Sequence, residues 1–174
     1  MRALAFWKTV TVDESNFLDR LLALLAEREV RFCVVVGQAV NAYVDPVVSL
    51  DLDLVVAVEQ MADVERWLAG EFKVERFPHS LNVSAPGSDL RVQIQTDPRY
   101  AGFVGRATER TVLGRRLPVA ALEDVMSGKI WAVEDPARRP SKRQKDLADI
   151  SRLLEAYPET GSLVPDAVRD RLVG

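Results

Sequence analysis

Two carboxylates stand inside an otherwise apolar run in Ser49-Leu50-Asp51-Leu52-Asp53-Leu54-Val55-Val56, and no other stretch narrows the fold as much. Leu50 to Val58 reads as a strand, because apolar and β-branched residues dominate it. Side chains two apart on a strand share a face. Asp51 and Asp53 therefore look one way, while Leu50, Leu52, Leu54 and Val56 face the core. Charged groups are costly to bury unless paired or metal-bound. Two co-facing carboxylates suit a hard divalent cation, and Mg²⁺ is typically held by one or two carboxylates plus substrate phosphates. The plain alternative is a solvated strand face.

A second signal precedes it. Phe32 to Val36 is a continuous apolar run and reads as a buried strand. Gly37 ends that strand, and a short helix, Gln38 to Tyr43, follows. A glycine at such a junction lets the backbone approach a ligand, and a helix N-terminus favours phosphate. Strand, glycine, helix and then D-x-D is a more specific combination than any of its parts.

The remaining elements set the fold class. Asp13 to Glu29 reads as a helix capped by Asp13, with Phe17, Leu18, Leu21, Leu22, Leu24 and Leu25 at helical spacing. Met61 to Leu68 is a helix closed by Gly70. Phe72–Phe77, Leu81–Ser84 and Leu90–Gln95 read as strands, the last two joined by a Pro86-Gly87 turn. Thr111–Leu113 and Leu117–Val119 form a small hairpin around Gly114. Ala121–Val133 and Lys142–Tyr157 are helices, the latter stopped by Pro158, and Val164–Leu172 is a short final one. This order predicts one α+β domain over residues 1–174, a mixed sheet flanked by helices, with a sheet-containing core (1–120) and a C-terminal helical portion (121–174). The single cysteine, Cys33, excludes a disulfide partner within the chain and a multi-cysteine zinc site. No apolar run approaches a membrane span and no signal pattern opens the chain, so a soluble cytoplasmic protein is expected.

Charge is unevenly spread. The net charge is −3, yet residues 99–145 carry 11 basic and 5 acidic side chains. Such a stretch can attract a polyanion. Arg138, Arg139, Lys142, Arg143 and Lys145 are its densest part; Pro140 divides a loop from a helix there. Asp146 and Asp149 can pair with Lys142, Arg143 or Lys145 at helical spacing. Trp131 and Tyr157 read as core aromatics, and His79 and Cys33 as structural residues.

These segments resemble the nucleotidyltransferase superfamily, in its minimal AbiEii-like branch associated with type IV toxin–antitoxin systems. Val34–Val40 resembles the family's strand–Gly-Gly/Ser–helix, and Ser49–Val56 its T-x-D-x-D strand. Leu122 through Lys129 resembles the helix after a small hairpin, and Arg143–Ile150 the K-D-x-x-D helix. The resemblance implies Mg²⁺-dependent transfer of a nucleoside monophosphate from an NTP to a hydroxyl on RNA or a partner protein. It implies Mg²⁺ on Asp51 and Asp53, and nucleotide contacts from Gly37, Gln38, Ser49, Lys129 and Lys145. A cognate toxin or antitoxin would be the partner.

Three positions depart from the family pattern. Gly37 is followed by Gln38, Val47 stands where an arginine is common, and Gln93 occupies the place of the third catalytic carboxylate. An amide oxygen can ligate a metal, but it is neutral and cannot act as a base. On the same strand Asp89, Arg91, Gln93, Gln95 and Asp97 alternate with Leu90, Val92 and Ile94, so one face is polar throughout. Two readings follow: an active nucleotidyltransferase, or a catalytically impaired relative that binds a nucleotide, RNA or a protein.

Overall fold

The computed structural model describes residues 16–172. Helix α1 (Phe17–Glu27) leads into β1 (Phe32–Val35), α2 (Val36–Tyr43), β2 (Asp51–Val56) and, after a 3-10 turn, α3 (Met61–Ala69). Next come β3 (Lys73–Phe77), β4 (Ser80–Ser84), β5 (Arg91–Gln95), a 3-10 turn at Pro98–Tyr100 and α4 (Phe103–Arg106). The hairpin β6 (Thr108–Val112) and β7 (Arg115–Val119) precedes α5 (Leu122–Glu134), α6 (Pro140–Ala156), a 3-10 turn at Pro158–Leu163 and α7 (Asp166–Arg169).

The strands form one mixed sheet in the order β3-β4-β5-β2-β1-β7-β6. β2 runs antiparallel to β1 and parallel to β5. Its place between those two strands explains why Leu52, Leu54, Val55 and Val56 are all buried. Both sheet edges are charged: Lys73, Glu75 and Arg76 lie on β3, Glu109 and Arg110 on β6. Such side chains discourage pairing with another chain. The core gathers Phe17, Leu21 and Leu25 of α1, Leu68 of α3 and the inner residues of β2 and β5, including Val92 and Ile94. Each fully buried side chain of this kind contributes roughly 1.5–3 kcal/mol. Phe17 meets Phe72 edge-on at 5.0 Å, fixing α1 beside the entry to β3.

The observed α+β architecture is the one expected, with local corrections. The Asp13 cap falls outside the described residues. α2 starts at Val36, so Gly37 lies in its first turn and does not end the strand. The sharp turn is carried by Val36, which adopts φ 61°. A β-branched residue is strained there, and β1 runs into α2 with no intervening loop to spread the change of direction. Pro140 is the first residue of α6, where its missing N–H leaves no hydrogen bond unmade. The C-terminal segment is a 3-10 turn followed by a four-residue helix, where one longer helix was expected.

Candidate active site

β2 and β5 build the floor of the site. Their parallel register sets Asp51 beside Arg91, Asp53 beside Gln93 and Val55 beside Gln95. Paired residues of neighbouring strands point to the same side. The polar faces predicted for the two strands therefore form one surface. It looks into a cleft of about 570 Å³, within the usual range for small-ligand sites. Gly37, Ser49, Asp51, Asp53, Gln93 and Gln95 lie on one side of the cleft, and Lys129, Arg138, Lys142 and Lys145 from α5, α6 and their connection on the other.

Each floor carboxylate already has a partner. Asp51 receives Arg91 Nε at 2.8 Å. Asp53 accepts a hydrogen bond from Gln95 Nε2 at 3.1 Å. Burial and the neighbouring Asp51 push the Asp53 carboxyl up to about 6, while Gln95, Lys129 and Arg138 pull it down. Desolvation and a like charge both disfavour the anion. A cation held between Asp51 and Asp53 would relieve both costs, so these residues fit Mg²⁺. The fit is partial. Among the described residues no group of three His, Cys, Asp or Glu side chains could cage a metal alone. Phosphate oxygens of a substrate would have to complete the shell, as is usual for Mg²⁺. Gln93 does not add a charge; its amide Nε2 donates to Ser80 Oγ at 3.2 Å.

The expected phosphate-contacting residues divide. Gly37 lines the cleft, and a Cβ built there would meet nothing within 4 Å, so the backbone is open to a ligand. Ser49 also lines it, and its Oγ accepts from the Asp51 N–H at 3.2 Å, fixing the entry to β2. Gln38 is buried and does not line the cleft. Its Nε2 donates to the Ser49 carbonyl at 3.4 Å, so its side chain anchors the 44–50 loop from behind. Lys145 and Lys142 are exposed at the cleft, and no ion pair holds either among the described residues. Lys129 is different. It is 3% exposed, with Nζ 3.0 Å from Asp146 and 2.8 Å from Asp149. Arg138 also binds Asp146, at 2.8 and 3.1 Å, and Arg152 binds Asp149 at 2.9 Å and reaches the Asp45 carbonyl.

This network corrects the predicted intrahelical pairing. Asp146 and Asp149 are buried on α6, and among the described residues no ion pair joins either of them to Lys142, Arg143 or Lys145. They take their cations from α5, from the 135–139 connection and, for Asp149, from Arg152 one turn on. His79 and Trp131, expected to be structural, both line the cleft. Trp131 is half-buried, stacked on Phe103 at 5.8 Å and met edge-on by Tyr100 at 5.5 Å. Burial and Asp53 push the Tyr100 phenol up to about 12. Cys33 is fully buried as expected, and burial raises its thiol to about 12. Arg91, Gln95 and Arg99 were visible in the sequence only as polar positions. The Asp97-Pro98 turn signal marks where the chain leaves β5, but not what it faces.

The sheet order, the D-x-D strand at its centre and the cleft against the C-terminal helices define the nucleotidyltransferase fold. Solved structures agree. The chain is similar to the antibiotic-resistance factor ANT(2'')-Ia in solution, with TM-score 0.63 and 17% identity, over 90% of this chain and 91% of that one. It is similar to ANT(2'')-Ia in complex with adenylyl-2''-tobramycin, with TM-score 0.62 and 17% identity, covering 90% and 97%. It is also similar to the lincosamide adenylyltransferase LnuA bound to lincomycin, with TM-score 0.56 and 13% identity, covering 82% and 99%. No protein-family model and no curated protein matches the sequence.

Proposed function

We propose that the protein transfers a nucleoside monophosphate from an NTP to a hydroxyl, with Asp51 and Asp53 holding Mg²⁺. One observation carries this reading: two co-facing carboxylates form the floor of a cleft that Lys142 and Lys145 also line, neither held in an ion pair among the described residues. Opposite charges at these positions are what a metal-bound triphosphate requires. Lys142 and Lys145 neutralise the phosphates, and Gly37 and Ser49 let the backbone approach them. Lys129, committed to Asp146 and Asp149, holds α5 and α6 together and so positions that wall. When bound, Mg²⁺ would withdraw charge from the phosphate oxygens. The acceptor oxygen attacks the α-phosphorus in line, its new O–P bond forms, the bond to the β-phosphate breaks and pyrophosphate leaves. The hydroxyl proton passes to solvent, because the Gln93 amide cannot take it.

The AbiEii-like resemblance makes the acceptor an RNA or a partner protein within a toxin–antitoxin pair. The charge of the cleft supports an anionic acceptor. Asp51, Asp97 and Asp146 are paired with Arg91, Arg99 and the Lys129–Arg138 pair, whereas no ion pair holds the cleft's Lys142 and Lys145 among the described residues, which leaves cationic groups for an anion. A second reading, a nucleotide-binding module without transfer, is favoured by Gln93 and its bond to Ser80.

Incubation with Mg²⁺, α-labelled NTPs and either bulk RNA or co-expressed protein discriminates the two. The active reading expects label transfer that Asp51→Asn lowers at least a hundredfold. Mg²⁺-dependent NTP binding with no label moved to RNA or protein would establish the binding module.

A further inference from the structure

The end of the cleft beyond β5 holds a layered arrangement that the transfer chemistry leaves unused. Asp97 accepts the Arg99 backbone N–H at 2.9 Å and caps the 3-10 turn. The same carboxylate takes Arg99 Nε at 3.2 Å and Nη2 at 2.9 Å. One edge of the guanidinium is thereby satisfied and its plane is fixed. That plane lies over Trp131, with Cζ 4.8 Å from the ring centroid. Trp131 in turn stacks on Phe103, which is buried, with 24° between the rings, and Tyr100 closes the side, 5.1 Å from Phe103. Each layer is held by the one behind it. An arginine whose edge is occupied by a carboxylate is a poor bidentate phosphate clamp, but its faces remain able to stack.

We infer that the Arg99–Trp131–Phe103 stack seats the nucleobase of the NTP. The inference rests on the nucleotide reading of the same cleft. Arg99, Tyr100 and Trp131 all line that cleft together with Asp51 and Asp53. Guanidinium planes and aromatic faces take bases by stacking, a sequence-tolerant interaction that favours the larger purine ring. His79 and Gln95, both on the cleft, supply polar groups to meet base edges. Arg99 thus acts through its shape more than its charge, and a lysine cannot replace it.

The test compares ATP, UTP and inorganic tripolyphosphate, each with Mg²⁺, binding to the full chain by calorimetry. Arg99→Lys keeps the charge and removes the plane. It should weaken ATP about tenfold, weaken UTP less, and leave tripolyphosphate within twofold. Arg99→Ala should match Arg99→Lys for ATP. Equal losses for ATP and tripolyphosphate in Arg99→Ala, with recovery in Arg99→Lys, would make Arg99 a phosphate counter-charge and overturn the inference. So would unchanged ATP affinity in both variants. If the unaltered protein binds tripolyphosphate as tightly as ATP, the base seat fails while the phosphate site stands. If it binds neither, the nucleotide reading itself fails.

Discussion

Gln93 is the residue on which the chemistry turns. It lies in register with Asp53, so a carboxylate there would share the floor with Asp51 and Asp53. Replacing Gln93 by Asp adds one charge a few ångströms from the proposed metal and removes the amide donor to Ser80. Mg²⁺ affinity should rise about tenfold, which calorimetry reads directly; an unchanged affinity would exclude position 93 from the metal site. Cys33 gives a second residue-scale expectation. Its folded thiol is raised from 9.0 to about 12, first by burial and then by Asp124. The folded state therefore favours the neutral thiol. The resulting stability is complete below pH 9 and is lost as pH climbs towards 12, because only the unfolded chain ionises in that window. From pH 9 to 10.5 the unaltered protein should lose up to about 2 kcal/mol more than Cys33→Val in urea denaturation. At pH 8, thiol reagents should label Cys33 only as fast as the protein unfolds.

Among the elements, α5 and α6 are joined by buried charge. Lys129, Asp146 and Asp149 are nearly inaccessible, and Arg138 and Arg152 complete their pairing from the rim. Truncating one member of a buried ion cluster leaves the others uncompensated and typically costs about 3–5 kcal/mol. Lys129→Met should lower stability by that amount in chemical denaturation. Lys145→Met, on the exposed face of α6, should change stability by less than about 0.5 kcal/mol. The pair separates an anchoring lysine from a ligand-facing one. Sequence spacing alone could not do so, since the resemblance implies the same nucleotide contact for both. Helix α2 offers a parallel case. Its glycine was legible as a backbone opening, but the strained φ belongs to Val36, one residue earlier. Only the immediate passage from β1 to α2 moves the turn there.

Across the whole molecule, the sheet order converts distant segments into one cleft. The acidic floor comes from β2, the amides from β5, the lysines from α6 and the aromatic stack from the 97–103 segment and α5. The mildly negative net charge therefore hides a cleft whose carboxylates are mostly neutralised from within. Strand periodicity, the D-x-D pattern and the helix spacings were set by the sequence, because each depends on neighbours within a few residues. The sequence also determined that β2 and β5 each carry one polar face and that Cys33 is buried. What only the tertiary structure decided is who meets whom. It gave Asp146 to Lys129, Asp51 to Arg91 and Trp131 to Arg99. These contacts join positions 17, 40 and 32 residues apart, and they arise from which strand lies beside which and which helix face turns inward. Local propensity cannot encode those choices, because the burial of the whole apolar surface makes them.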